Sequence, residues 1–184
     1  ELVLSIPMSG LKTPETQYVD LLVAKAKEIS EVFDAAVDAN EISLDDLFDR
    51  NYQPIPGTNP EQVMTRFTEF TDRVLTPIQE GILETDGHIV YSACVDDIGS
   101  LPTHNRKSSK PQGDDPVWNT ANCRNRRIFD DRAGKRAAQN EKPVLLQTYR
   151  RDMGGGTFVV MKELDAPVTV KGRRWGTLRL AYKH

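Results

Sequence analysis

The sequence predicts an α+β domain in which helices come first and an antiparallel sheet follows. Apolar residues recur at helical spacing before residue 86, whereas short β-branched and aromatic runs recur after residue 87. Glycine-bearing turns separate the last of those runs closely enough for hairpins. Segregated helices and strands argue against the alternating pattern of a parallel βαβ sheet. The change of character divides one structural unit into an N-terminal helical region, 1–86, packed on a sheet-bearing core, 87–184.

Each element follows from local chemistry. Thr13-Pro14-Glu15 reads as an N-cap with proline at the first helical position, and Val19, Leu22, Val23, Ala26, Ile29, Phe33 and Val37 continue an amphipathic helix to near Asn40. Ser43-Leu44-Asp45-Asp46 opens a short second helix, and Pro54-Ile55-Pro56-Gly57 breaks the chain. Asn59-Pro60-Glu61-Gln62 caps a third helix carrying Val63, Phe67, Phe70 and Val74, with Pro77 expected to kink or interrupt it. Ile89 to Val95 is a central strand bounded by the Asp96-Asp97-Ile98-Gly99 turn. Residues 100–142 form a long polar crossover with a helix over part of 120–138. Strands follow over 144–150, 157–164 and 175–182, with a short one over 167–170 before the Lys171-Gly172 turn. Met153-Gly154-Gly155-Gly156 makes the first hairpin connection and lacks the Lys-Ser/Thr of a phosphate loop.

With 184 residues, 38% hydrophobic and 28% charged, the chain buries a core without needing metals or disulfides. The net charge of -3 conceals an asymmetry: residues 1–100 hold 6 Lys+Arg against 19 Asp+Glu, and residues 101–184 hold 18 against 8. Arginines mixed with aspartates and glycines, without interleaved aromatics, do not make a base-stacking surface, so no nucleic-acid partner is expected. Pairing between the halves or an anionic ligand accounts better for the basic half. Cys94 and Cys123 offer neither a CxxC pair nor zinc spacing and are expected as free thiols, which favours a reducing compartment. No apolar run approaches the ~18 to 20 residues that cross a bilayer, and no signal-peptide pattern opens the chain.

The long crossover is where a compact domain places a binding loop. Within it, Leu101-Pro102-Thr103-His104-Asn105-Arg106-Lys107 gathers an imidazole, an amide and a guanidinium able to clamp a carboxylate; the plainer role for His104 and Asn105 is to tie down the loop backbone. Arg124 and Arg127 fall on neighbouring turns of the expected helix, where they either point inward together or belong to a solvated Arg-Asp face. Tyr149 and Trp175, on strands, are expected as pocket walls or as core. The expected ligand site is therefore His104, Asn105, Arg106, Arg124, Arg127, Tyr149 and Trp175, between sheet and crossover.

Enzyme signatures are missing. There is no Gly-x-Ser-x-Gly elbow, no His-Glu-x-x-His and no cysteine with an evident histidine base, and the adjacent Asp130 and Asp131 point apart on a helix. No cofactor or metal is expected, the one alternative being noncovalent haem ligated by His104.

Several ordered blocks resemble the sensory domain of a group of bacterial methyl-accepting chemotaxis proteins. These are Val90 to Asp96 running into Leu101-Pro102-Thr103-His104-Asn105-Arg106-Lys107, then Asn125-Arg126-Arg127-Ile128-Phe129-Asp130-Asp131-Arg132, Leu145 to Asp152, Ala166-Pro167-Val168 and Gly172-Arg173-Arg174-Trp175-Gly176. The resemblance runs from about residue 28 to the end. It implies a PAS/Cache-like antiparallel sheet with a long N-terminal helix and a helical crossover, a small polar or anionic ligand, a homodimer through the N-terminal helix, and a signalling coiled coil in the full-length receptor. Such domains lie on either side of the membrane. Asp97-Ile98-Gly99-Ser100 and Ser108 depart from the group, which has aromatics near both places, so a relative's ligand does not transfer. A dimerisation module without a ligand is the competing reading.

Overall fold

The computed structural model describes residues 13–183. Helix α1 (Pro14–Asp38) is capped by Thr13, whose hydroxyl accepts the Thr16 N–H at 3.3 Å. Leu22, Ala26, Ile29 and Phe33 form its buried stripe, while Val23 is exposed. The helix ends where Asn40 turns left-handed, φ 56°, a conformation asparagine tolerates better than most residues. Ser43 caps α2 (Leu44–Leu47) by accepting the Asp46 N–H at 3.0 Å.

The third helix begins later than the capping pattern predicts. Gln53–Pro54 (β1) pairs with Val63–Met64 (β2), and the Val63 N–H donates to the Arg126 carbonyl at 2.7 Å. Amides committed there cannot open a helix, so α3 spans Thr68–Thr85. It continues through Pro77. Both Pro77 and Arg73, whose carbonyl loses its partner, are exposed, where a freed carbonyl costs least.

The crossover is not one helix. It holds β4 (Ser100–Leu101), a 3₁₀ turn at Arg106–Ser108, α4 (Pro116–Asn122), β5 (Arg127–Ile128) and α5 (Arg132–Ala138). Tertiary pairing breaks the expected helix: the Arg124 N–H donates to Ser108 at 2.7 Å, the Arg126 N–H donates to Leu101 at 2.6 Å, and β5 pairs with β4. Arg126 turns the chain at φ 61°. Gly99 lies so close to the Phe129 carbonyl that a Cβ would sit 2.5 Å from its oxygen.

Strands β3 (Ile89–Asp96), β6 (Leu145–Asp152), β7 (Phe158–Val170) and β8 (Arg173–Tyr182) form an antiparallel sheet ordered β3-β8-β7-β6. The two expected strands over 157–170 are one. Pro167 is accommodated because β6 ends its pairing at Leu145↔Asp165, leaving β7 an edge beyond it. Asp96 organises the turn after β3 by accepting the N–H groups of Ile98, Gly99 and Ser100 at 2.9 to 3.0 Å. Gly176 permits β8 to approach β3, since a Cβ there would sit 2.0 Å from the Val95 oxygen.

The result is an α+β fold of PAS-like architecture. One sheet face packs against α1 and α3 through Cys94, Leu164, Ala166, Val168, Trp175, Leu178 and Leu180. The crossover covers the other. The acidic and basic halves meet in ion pairs Asp72–Arg126, Glu15–Lys162 and Asp38–Lys171. Among the described residues no helix is long and apolar enough to cross a membrane.

Candidate functional site

Strand alternation sends Tyr91, Tyr149, Glu163, Asp165 and Arg179 to the covered face, where all are buried. Arg179 donates to Glu163 through Nε at 2.7 Å and Nη2 at 3.0 Å, a fork that fits a carboxylate. Tyr91 donates its hydroxyl to the same carboxylate at 2.5 Å. Asp165 receives Gln147 Nε2 at 2.9 Å, but its Oδ1 has no hydrogen-bond partner. Burial, then the neighbouring Glu163, pushes its carboxyl well above the usual range.

Three more guanidiniums crowd this layer. Arg124 is buried and donates to the Thr120 and Asp152 carbonyls at 2.8 Å and to Tyr149 Oη at 3.2 Å. Arg127 lies 4.8 Å and Arg124 5.1 Å from the Phe129 ring centroid, within reach of its π face. Arg151 is 5% exposed, with Nη2 at 3.4 Å from Ser108 Oγ and Nε unpartnered. Among the described residues, none of the three is in ion-pair contact with a carboxylate. Burial, then repulsion from Arg124, lowers Arg127 and Arg151 to about 10, so both stay cationic at neutral pH.

His104 is buried beside this cluster, its ring 5.3 Å from that of Tyr91. Its Nδ1 accepts the Asn105 N–H at 2.7 Å, which assigns the proton of the neutral ring to Nε2. Burial, then Arg151, Arg124 and Arg179, drives its pKa well below the ordinary value. Among the described residues Nε2 has no hydrogen-bond acceptor.

Two hollows meet at this imidazole. The inner one, between sheet and crossover, is lined by Tyr91, Leu101, His104, Arg124, Phe129, Tyr149 and Arg179 and measures about 10 Å³, the scale of one water. The outer one is a cleft of about 270 Å³ between α3 and the crossover. It is lined by Asp72 and Thr76 from α3 and by Thr103, His104, Arg106, Ser109, Asn125 and Arg126. Arg126 pairs with Asp72 at 2.9 Å, whereas the exposed Arg106 guanidinium has no protein partner among the described residues.

The structure thus distributes the seven expected residues. His104, Arg124 and Tyr149 line the inner cavity, Arg127 flanks it through Phe129, and Arg106 lines the cleft with His104. Asn105 is a bracket: its Oδ1 accepts the Ser92 N–H at 2.9 Å and its Nδ2 donates to the Gln79 carbonyl at 3.1 Å. Trp175 is on the opposite face, edge-on to Phe33 and Phe67, with Nε1 donating to the Leu47 carbonyl at 2.8 Å. The ladder passes from Val168↔Gly176 to Thr169↔Arg174, so Trp175 is itself the extra residue of a β8 bulge, which turns it to the helices.

Sequence reasoning missed Arg179, Glu163 and Asp165. Their signal is period-two polarity on β7, Glu163 and Asp165 alternating with Leu164 and Ala166, which marks a polar buried face. The cleft residues Asp72 and Thr76 carry no such signal, because their role depends on where α3 docks. No known protein-family model matches the chain, and no curated protein is significantly similar to it.

Proposed function

We propose that this domain is the ligand-sensing module of a bacterial chemoreceptor and that the cleft between α3 and the crossover takes a small anionic or polar molecule. The observation that carries the reading is the cleft itself, about 270 Å³, with the buried His104 imidazole at its back and, at its rim, a guanidinium unpaired among the described residues. That volume is near the roughly 300 Å³ at which small-molecule pockets begin. Arg106 supplies a fork for a carboxylate and His104 Nε2 a fixed donor, while the Thr76, Thr103 and Ser109 hydroxyls, whose protons go to the Asp72 carbonyl, the Asp72 carboxylate and the Asn105 carbonyl, are left to accept from a polar ligand. The blocks similar to chemotaxis receptors support the same reading, since they include His104 to Lys107 and Asn125 to Arg132. Cleft residues serve recognition here and no chemistry is assigned to them.

A bound molecule has a route to the helices. Thr103 donates to Asp72 at 2.5 Å, Gln79 Nε2 donates to the Thr103 carbonyl at 2.9 Å, and Gln79 Oε1 accepts the Cys94 N–H at 2.9 Å. Ligand contact at Thr103 or Arg106 therefore bears on the seating of α3 against β3, and α3 packs against α1. Such a device works by differential affinity for two helix positions. A thermal-shift screen of organic acids, amino acids and nucleotides tests the reading: a hit is expected to lose its shift in Arg106→Ala, and a hit unaffected by that change argues against the cleft.

A further inference from the structure

The inner cavity is a separate site, and we propose that it holds one monatomic anion, a chloride in ordinary salt, as counter-ion of the buried guanidinium cluster. Its size sets the class of occupant: about 10 Å³ accepts a particle on the scale of a water and excludes any organic acid.

Donors meet there without acceptors. The Tyr149 hydroxyl receives Arg124 Nη2 at 3.2 Å, and its own proton has no acceptor among the described residues. Arg151, 5% exposed with Nε unpartnered, lies 5.0 Å from the ring centroid of Tyr91, itself a wall of the cavity. Buried polar groups are almost always satisfied, so the Tyr149 proton in the cavity and the Arg151 Nε beside its Tyr91 wall call for an acceptor. A water would accept from them but leave the charge as it stands. Arg179 has Glu163, whereas Arg124, Arg127 and Arg151 have no carboxylate in contact among the described residues. An anion meets both demands, beside the apolar lining that Leu101 and Phe129 provide. This inference does not depend on what the cleft binds.

The test uses the whole domain. Melting is followed against sodium chloride and sodium bromide, with sodium gluconate holding ionic strength constant, and crystals grown in bromide are measured for anomalous scattering. A saturable rise in Tm with halide, together with a bromide peak between His104, Arg124 and Tyr149, is the expected result. Tyr149→Phe, which keeps the ring and removes the donor, weakens the apparent halide affinity by ~10-fold. Arg124→Ala removes the halide dependence, and if it fails to fold, Tyr149→Phe alone decides. A water-sized peak without bromide signal, or a Tm set by ionic strength alone, overturns the proposal.

Discussion

Arg179 and Glu163 face each other across β8 and β7 as a two-pronged ion pair, 2.7 and 3.0 Å, with both side chains at most 1% exposed. The pair lies diagonally across the register, in which Glu163 is opposite Ala181 and Asp165 opposite Arg179. Taking two charges out of water is expensive, and the fork, with Tyr91 as a further donor, offsets the cost.

Removing one partner leaves the other buried and uncompensated. Glu163→Gln is expected to lower unfolding free energy by about 3 to 5 kcal/mol, while Glu163→Gln with Arg179→Met recovers part of that loss. Urea denaturation of Glu163→Gln, Arg179→Met and the double variant measures both, and a double variant less stable than either single one contradicts the account.

Asn105 bridges β3 and α3 through its side-chain amide. Asn105→Ala strands the Ser92 N–H and the Gln79 carbonyl in the interior and should cost about 1 to 3 kcal/mol. Native-state hydrogen exchange checks the mechanism: the Ser92 amide should lose protection well beyond the global change.

Trp175 belongs to the helix-side core, 0% exposed between Phe33 and Phe67. Trp175→Ala should destabilise by about 3 to 5 kcal/mol. The milder Trp175→Phe should leave affinity for any cleft ligand unchanged, which titration of that variant measures; a several-fold weakening would return Trp175 to the binding site.

The strands and long helices are legible because their periodicity is set locally. Leu22, Ala26, Ile29 and Phe33 announce a stripe, and Gly154 to Gly156 announce a hairpin. What stays hidden depends on pairing between distant segments. Arg124 and Arg127 have helical spacing, yet Ser108 and Leu101 claim the amides of Arg124 and Arg126 and pull the segment into a turn and a strand. The two guanidiniums converge all the same, on Phe129 instead of along a helix face. Trp175 reads as a wall because nothing in its neighbours reveals the bulge that it forms in β8.

The imidazole of His104 is kept neutral by burial and by surrounding guanidiniums. Its folded pKa is depressed below an unfolded value of about 6.5, so below that pH the unfolded chain binds the extra proton and folding weakens as pH falls. Asp165, raised in the folded state, acts with the opposite sign over an overlapping range. Wild type must therefore be compared with His104→Gln. From pH 6.5 to 5 wild type should lose stability relative to the variant with a slope that steepens toward about 1.4 kcal/mol per pH unit, read from denaturant midpoints at each pH. Parallel curves would mean that the buried ring titrates normally.

The central claim is that the α3 cleft receives the ligand, and calorimetric titration of a screening hit into cleft variants tests it most directly. Arg106→Ala removes an exposed guanidinium with little reason to disturb folding, and Thr76→Phe fills the cleft from α3. The account predicts a ~10-fold or greater loss of affinity in the first and no detectable binding in the second. Unchanged affinity in both variants, each folded to the same Tm as wild type, would contradict it.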